Sequence, residues 1–310
     1  MPTKTNSTTP TAEVAQSDLR DAVPHITSLS GSSPSNRLGM ATALFRDGQF
    51  DHAREELSRA LDENPELAEG QLVKGLMLAS CKQFARAVEP LRFSIELDPE
   101  ADIPYLVLIS TYDELNETEL ALATVKALLN RQPDHAAALG WQGKLLQKLG
   151  RNDEALAAWT KATQTSKPEA QFHFGAAQIH LTASRWSAAE TELDCARALN
   201  PRDPEVLTAQ GDALYALGRS DEAAAIYRDA LSHSPMHAPL YHRLARWFWE
   251  RHHKPAAIAL LRSAVQLDPT LKEAHALVAD YYQSFDRVNE GVQFAASSQV
   301  VRSTFDAGGQ

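Results

Sequence analysis

Eleven histidines stand in a chain of 310 residues, so metal chemistry is the first possibility to weigh. His173 and His180 are seven apart, which puts both on one face of a helix. A metal site would need further ligands converging on them. Cys195 follows in the next helical segment, but the pattern does not aim it at the pair. The two therefore read as hydrogen-bonded core histidines. His252 and His253 lie between Arg251 and Lys254 and read as the exposed basic tip of a turn. The acidic pairs Glu55–Glu56 and Asp221–Glu222 read as solvated helix surface. No nucleophile elbow, phosphate loop, HExxH or calcium loop is present. No group is placed as a general acid or base. The expectation is a protein with no catalytic residue, no metal ligand and no cofactor.

Composition narrows the partners. Hydrophobic residues make up 44% and charged residues 23%, so a sizeable core can form. The net charge of −10 disfavours general nucleic-acid binding, which needs a dense basic face, and docking on anionic membranes. Cys81 and Cys195 belong to no CxxC pair, which argues against a disulfide framework or zinc site and fits a reducing compartment. The opening MPTKTNSTTP is followed by no apolar run, so neither a signal peptide nor a membrane span is expected, and the expected location is cytoplasmic.

The elements that must position any functional side chain are set by an internal repeat. Ala53, Ala87, Ala121, Ala155, Ala189, Ala223 and Ala257 are spaced by 34 residues without an insertion. Twelve positions later fall Pro65, Pro99, Pro133, Pro201, Pro235 and Pro269, with Pro168 late by one. Small residues recur twelve before the anchor (Ala41, Gly75, Gly143, Ala177, Gly211, Ala245), with Ile109 as the exception. Bulky residues recur four after it, among them Leu91, Trp159, Tyr227 and Leu261. This pattern predicts two amphipathic helices per unit, A and B. Small residues would sit where the helices cross closely, and the proline would follow the end of helix B. Gly48, Gly150 and Gly218 fall at the turn from A to B, where a positive φ is often needed. Pro90 falls inside helix B of the second unit and is expected to remove a hydrogen bond and kink it. Pro104, Pro239 and Pro255 fall in first turns, where proline is tolerated.

The stretch VLTAQGDALYALGRSDEAAAIYRDALSHSP, Val206 to Pro235, resembles the tetratricopeptide repeat family almost position for position. The resemblance implies an all-α fold, a right-handed superhelical solenoid of tandem helix-turn-helix units. The units expected are 34–67, 68–101, 102–135, 136–169, 170–203, 204–237 and 238–271. A degenerate capping unit would follow at 272–302, where Gly291 replaces the anchor alanine. The Ser/Thr-rich segment 1–33 is expected to be disordered and the tail 303–310 frayed.

The resemblance also implies that helix A lines a concave groove. In the first three units the groove positions hold Leu38, Phe45, Leu72, Val73, Leu76, Leu106 and Val107, an apolar run that could face a ligand or simply pack against the neighbouring helix. From the fourth unit they hold Trp141, Lys144, Lys148, Phe174, Gln178, Asp212, Tyr215, His242, Arg243, Arg246 and Trp249. This aromatic-basic half is the candidate partner-binding face, suited to a protein or peptide with hydrophobic and acidic anchors. Arg243 and Arg246 could instead be solvated or paired with Glu250. Chaperone-binding members of the family grip a carboxylate with Lys and Asn at positions 5 and 9 of one helix A. The pairs here, from Leu38/Thr42 to His242/Arg246, do not reproduce that clamp.

The functional expectation is therefore an interaction scaffold or adaptor. The alternatives are a dedicated chaperone or assembly factor for a secreted or complex-bound client, and a non-catalytic accessory subunit of an enzyme. Self-association is left open.

Overall fold

In a computed structural model, residues 36–283 are described. The segment 1–33, the tail 303–310 and the part of the capping unit that contains Gly291 lie outside them. Fifteen helices and no strand are found among the described residues. They divide into two compact units, one up to Ser166 and one from Lys167.

The first unit holds four helix pairs. These are α1 (Asn36–Arg46) with α2 (Phe50–Glu63), α3 (Ala68–Ser80) with α4 (Phe84–Leu97), α5 (Ile103–Glu114) with α6 (Thr118–Arg131), and α7 (Ala136–Lys148) with α8 (Asn152–Thr163). The second holds α9 (Ala170–Thr182) with α10 (Trp186–Leu199), α11 (Pro204–Ala216) with α12 (Ser220–His233), α13 (Ala238–Glu250) with α14 (Lys254–Leu267), and a last helix α15 (Lys272–Gln283). Within each unit every helix packs against the next in sequence, as a solenoid of paired helices does.

The periodic residues do the work their spacing implies. All seven anchor alanines are fully buried, at 0% exposure. Their bulky partners fill the space opposite the small residues. A Cβ added to Gly211 would come within 2.1 Å of the Tyr227 ring, and one added to Gly143 within 2.6 Å of Trp159. The Ser94 hydroxyl in α4 donates to the Ala68 carbonyl at 2.8 Å and ties α4 to the start of α3. Helix α4 runs through the buried Pro90 to Leu97, so the Arg86 carbonyl lacks its usual helical donor.

Each A-to-B turn closes in the same way. The second residue after each A helix takes a left-handed conformation, and the next N–H reaches back five residues, as Gln49 does to Leu44 at 2.9 Å and Arg219 to Leu214 at 2.9 Å. Glycine fills the left-handed position at Gly48, Gly150 and Gly218, but Lys82, Asn116, Ser184 and His252 fill it in the other repeats. The tight turn is thus uniform although its glycine is not.

Candidate protein-interaction face

In the first unit the candidate residues Trp141, Lys144 and Lys148 line up along α7, each about one helical turn from the next. Neither lysine is left to a ligand. Asp113, near the end of α5, accepts from Lys144 Nζ at 2.9 Å and from Lys148 Nζ at 2.7 Å. Its side chain is only 13% exposed. Burial pushes its pKa up, but the two ammonium groups outweigh this and hold the carboxyl below its usual range. Lys144 Nζ also lies 4.3 Å from the centre of the Trp141 ring, a cation stacked on an indole face.

In the second unit the same motif recurs with other residues. Asp212 on α11 accepts from Arg243 Nε at 3.0 Å and Arg243 Nη2 at 3.0 Å, and from the Tyr227 hydroxyl at 2.8 Å. Burial is the main cause that raises the Tyr227 pKa, and the Asp212 charge adds to it. Arg246 stacks over the Tyr215 ring at 4.4 Å and pairs with Glu250 at 3.3 Å. Trp249 packs its body against the core that Ala257, Leu261 and Val278 form. Phe174 on α9 packs similarly beside Leu193 and Val206, and Gln178 is half-buried one turn further along. His242 is different. At 8% exposure it belongs to the interior, with Nδ1 3.4 Å from Arg243 Nη1, and it is not part of an open face.

The earlier groove positions are also interior. Leu38, Phe45, Leu72, Val73, Leu76 and Val107 are all buried, so they are core between neighbouring helices. The acidic pairs do more than meet solvent. Glu55 and Glu56 both pair with Arg59, Glu222 pairs with Arg219, and Asp221 pairs with Arg251 and accepts from Trp247 Nε1 at 3.1 Å. Trp247 was not legible as a site residue, yet Arg251 and Arg228 both face its ring, at 4.2 and 5.8 Å.

The histidines of α9 serve the structure separately. His173 Nδ1 lies 2.8 Å from Glu192 on α10. His180 Nδ1 is buried without a hydrogen bond, and burial, with Arg185 nearby, holds its pKa below the usual value. Cys81 and Cys195 are free and exposed. Among the described residues no three His, Cys, Asp or Glu side chains gather as a metal site, and no helix is long and apolar enough to cross a membrane.

A solenoid of helix pairs that carries stacked aromatic and cationic side chains on its A helices, on α7 in the first unit and on α11 and α13 in the second, defines a class, the helical-repeat interaction modules. The chain belongs to the tetratricopeptide repeat family. One tetratricopeptide repeat model matches residues 38–102, 106–170, 142–204 and 174–239, and a second matches 214–281. Such arrays are generally non-catalytic and bind proteins or peptides.

Among characterised proteins, the chain is 24% identical over 216 residues to cellulose synthase operon protein C of Pseudomonas fluorescens. That match takes in 66% of this chain but only 17% of the relative, so the chain spans about a sixth of that protein's length. Among solved structures, PilF of Pseudomonas aeruginosa superposes with a TM-score of 0.61 at 19% identity, over 69% of this chain and 97% of that one. A tetratricopeptide repeat protein from Parabacteroides merdae gives 0.59 at 19% identity, over 78% and 95%. YrrB, described as having an unusual peptide-binding site, gives 0.51 at 22% identity, over 60% and 96%. At these identities the structural likeness speaks to the fold.

Proposed function

We propose that the chain is a scaffold whose units each hold a segment of a partner protein on their A helices, with Trp141 as the contacting side chain in the first and Phe174, Tyr215, Arg246 and Trp249 in the second. The observation that carries this reading is the pair of stacks, Lys144 on Trp141 and Arg246 on Tyr215, one in each compact unit and each on helix A. Aromatic and arginine side chains held in one geometry lose little entropy on binding, which is why they dominate interfaces.

The ion pairs refine the partner's chemistry. Lys144 and Lys148 are met by Asp113, Arg243 by Asp212 and Arg246 by Glu250. A ligand carboxylate would compete with an acid already in place, so apolar and hydrogen-bonding anchors govern the fit more than acidic ones. On this reading the chain has no catalytic step of its own, and the free thiols of Cys81 and Cys195 accord with a reducing cytoplasm.

The test is the combined Trp141→Ala, Arg246→Ala and Trp249→Ala variant in a crosslinking pull-down from the native cell. Helical circular dichroism should be unchanged and the specific partners lost. Retention of every partner by the folded variant would sink the reading.

The relative from a cellulose synthase operon favours a second reading, in which the array is the docking arm of an accessory subunit in a polymer-synthesising assembly. That reading requires the chain to co-purify with a synthase subunit.

A further inference from the structure

The second repeat is open at a place that the other repeats fill. Gln71 is the fourth residue of its repeat, and its counterparts recur at steps of 34 residues. Tyr105, Leu139 and Leu207 are buried in their own repeats. Tyr241 packs its ring against the core that Ala257, Ile258 and Leu261 form, and its hydroxyl donates to the Pro235 carbonyl at 2.9 Å. Arg37 and His173 instead reach across to an acid on helix B, Glu56 at 3.5 Å and Glu192 at 2.8 Å. Gln71 does neither. Its Nε2 donates to the Pro65 carbonyl at 3.0 Å, which is the bond that Tyr241 makes to Pro235. Gln71 thus keeps the hydrogen bond of a tyrosine at this place and lacks the ring. The helix B residue in register with Glu56 and Glu192 is Pro90, whose short ring cannot reach across.

The result is a cleft of about 380 Å³ between α3 and α4, at the lower end of the range of about 300–1,000 Å³ for small-ligand sites. Pro90 and Phe93 line it, and Phe93 is 36% exposed. Lys74, Glu89, Arg92 and Glu96 line it too. They are exposed, and their side chains form no ion pair or hydrogen bond among the described residues. Two cations balance two carboxylates, so the cleft favours neither sign of charge and selects by shape and hydrogen bonding.

We propose that this cleft receives a tyrosine side chain from a partner segment, in the place that Tyr105 and Tyr241 occupy in their own repeats. The incoming ring lies on Pro90 and against Phe93, where an aromatic pair adds to the area buried. Gln71 Oε1 accepts no hydrogen bond among the described residues, and it accepts from the phenol hydroxyl. A leucine side chain would fill the apolar part and leave that acceptor unmet. All the lining residues belong to one helix pair, and none of them is among the side chains assigned to the partner face above. The two readings are therefore tested apart.

The probe is N-acetyltyrosinamide, titrated onto the full chain and followed by saturation-transfer NMR. The wild type should bind it saturably with a Kd of about 1 mM, the strength open to so small a ligand. N-acetylleucinamide should bind about tenfold more weakly, because it cannot meet the polar group of the site. Gln71→Tyr restores the ring from within, so this chain should melt at a higher temperature than the wild type and bind the probe about tenfold more weakly. Phe93→Ala alters an exposed position and should keep the helical circular dichroism while weakening the probe about tenfold. A wild type without saturable binding overturns the proposal. So does a Gln71→Tyr chain that melts below the wild type, either variant binding as tightly as the wild type, or a leucine probe that binds as well as the tyrosine one.

Discussion

Asp113 shows how one carboxylate organises a face. It draws Lys144 and Lys148 from the next repeat onto itself and so fixes Lys144 against Trp141. Its folded pKa lies below the unfolded value of about 3.9, so the unfolded chain binds its proton first as pH falls. The stabilisation is therefore complete above that unfolded value and is lost as pH drops through the folded one. At neutral pH Asp113→Asn should lower stability by about 1 kcal/mol, since the lysine side chains are solvent-screened. Urea unfolding midpoints measured from pH 7 downward should show the difference between wild type and variant constant above about pH 5 and narrowing as pH falls below about 4. A gap that does not narrow there would mean the carboxylate charge is not its source. Asp113 itself could be read as a helix-end acid. Its two partners, 31 and 35 residues on, could not be chosen from the sequence, because Glu114 stands at nearly the same spacing and remains unpaired.

At the level of the helix pair, the repeat was legible because it is written in steric terms. A small residue in helix A must face a large one in helix B. Two glycines test how rigid that fit is. A Cβ at Gly211 meets the Tyr227 ring at 2.1 Å, and that ring is held by its hydrogen bond to Asp212. A Cβ at Gly75 meets the Leu91 branch at 2.5 Å, which can change rotamer. Alanine gains about 1 kcal/mol over glycine in a helix, while overpacking a rigid core costs about 1–3 kcal/mol. Gly211→Ala should therefore be the more damaging, by about 1–2 kcal/mol relative to Gly75→Ala. Denaturant melts of the two variants decide it, and equal losses would show that Tyr227 yields as readily as Leu91. The turns were less legible. Glycine marks three of them, but Lys82, Asn116, Ser184 and His252 adopt the same left-handed backbone without that signal. The helix-end hydrogen bonds impose the conformation and tolerate its cost.

At the scale of the whole chain, the seven full repeats read as one gapless array, whereas the folded chain divides near Ser166. The one irregularity in the proline register, Pro168, lies beside that division. Each unit has its own core, built around Tyr105, Leu128 and Ala138 in the first, and around clusters such as Leu207 with Tyr227 and Leu240 in the second. Made separately, 1–166 and 167–310 should each be helical and melt cooperatively by circular dichroism. A featureless melt for either would show that its core depends on the other half.

The sequence by itself determined the family, the helix pairs and the small-to-large packing. These rest on period and side-chain size, which repeat locally and need no knowledge of what lies across the fold. The tertiary structure decided what the groove residues are. It turned Leu38, Leu72 and His242 into core, gave Lys144, Lys148 and Arg243 their acidic partners, and set Arg246 on Tyr215. Those outcomes depend on how adjacent A helices cross, because a helical position fixes which way a side chain points but not which neighbour it meets.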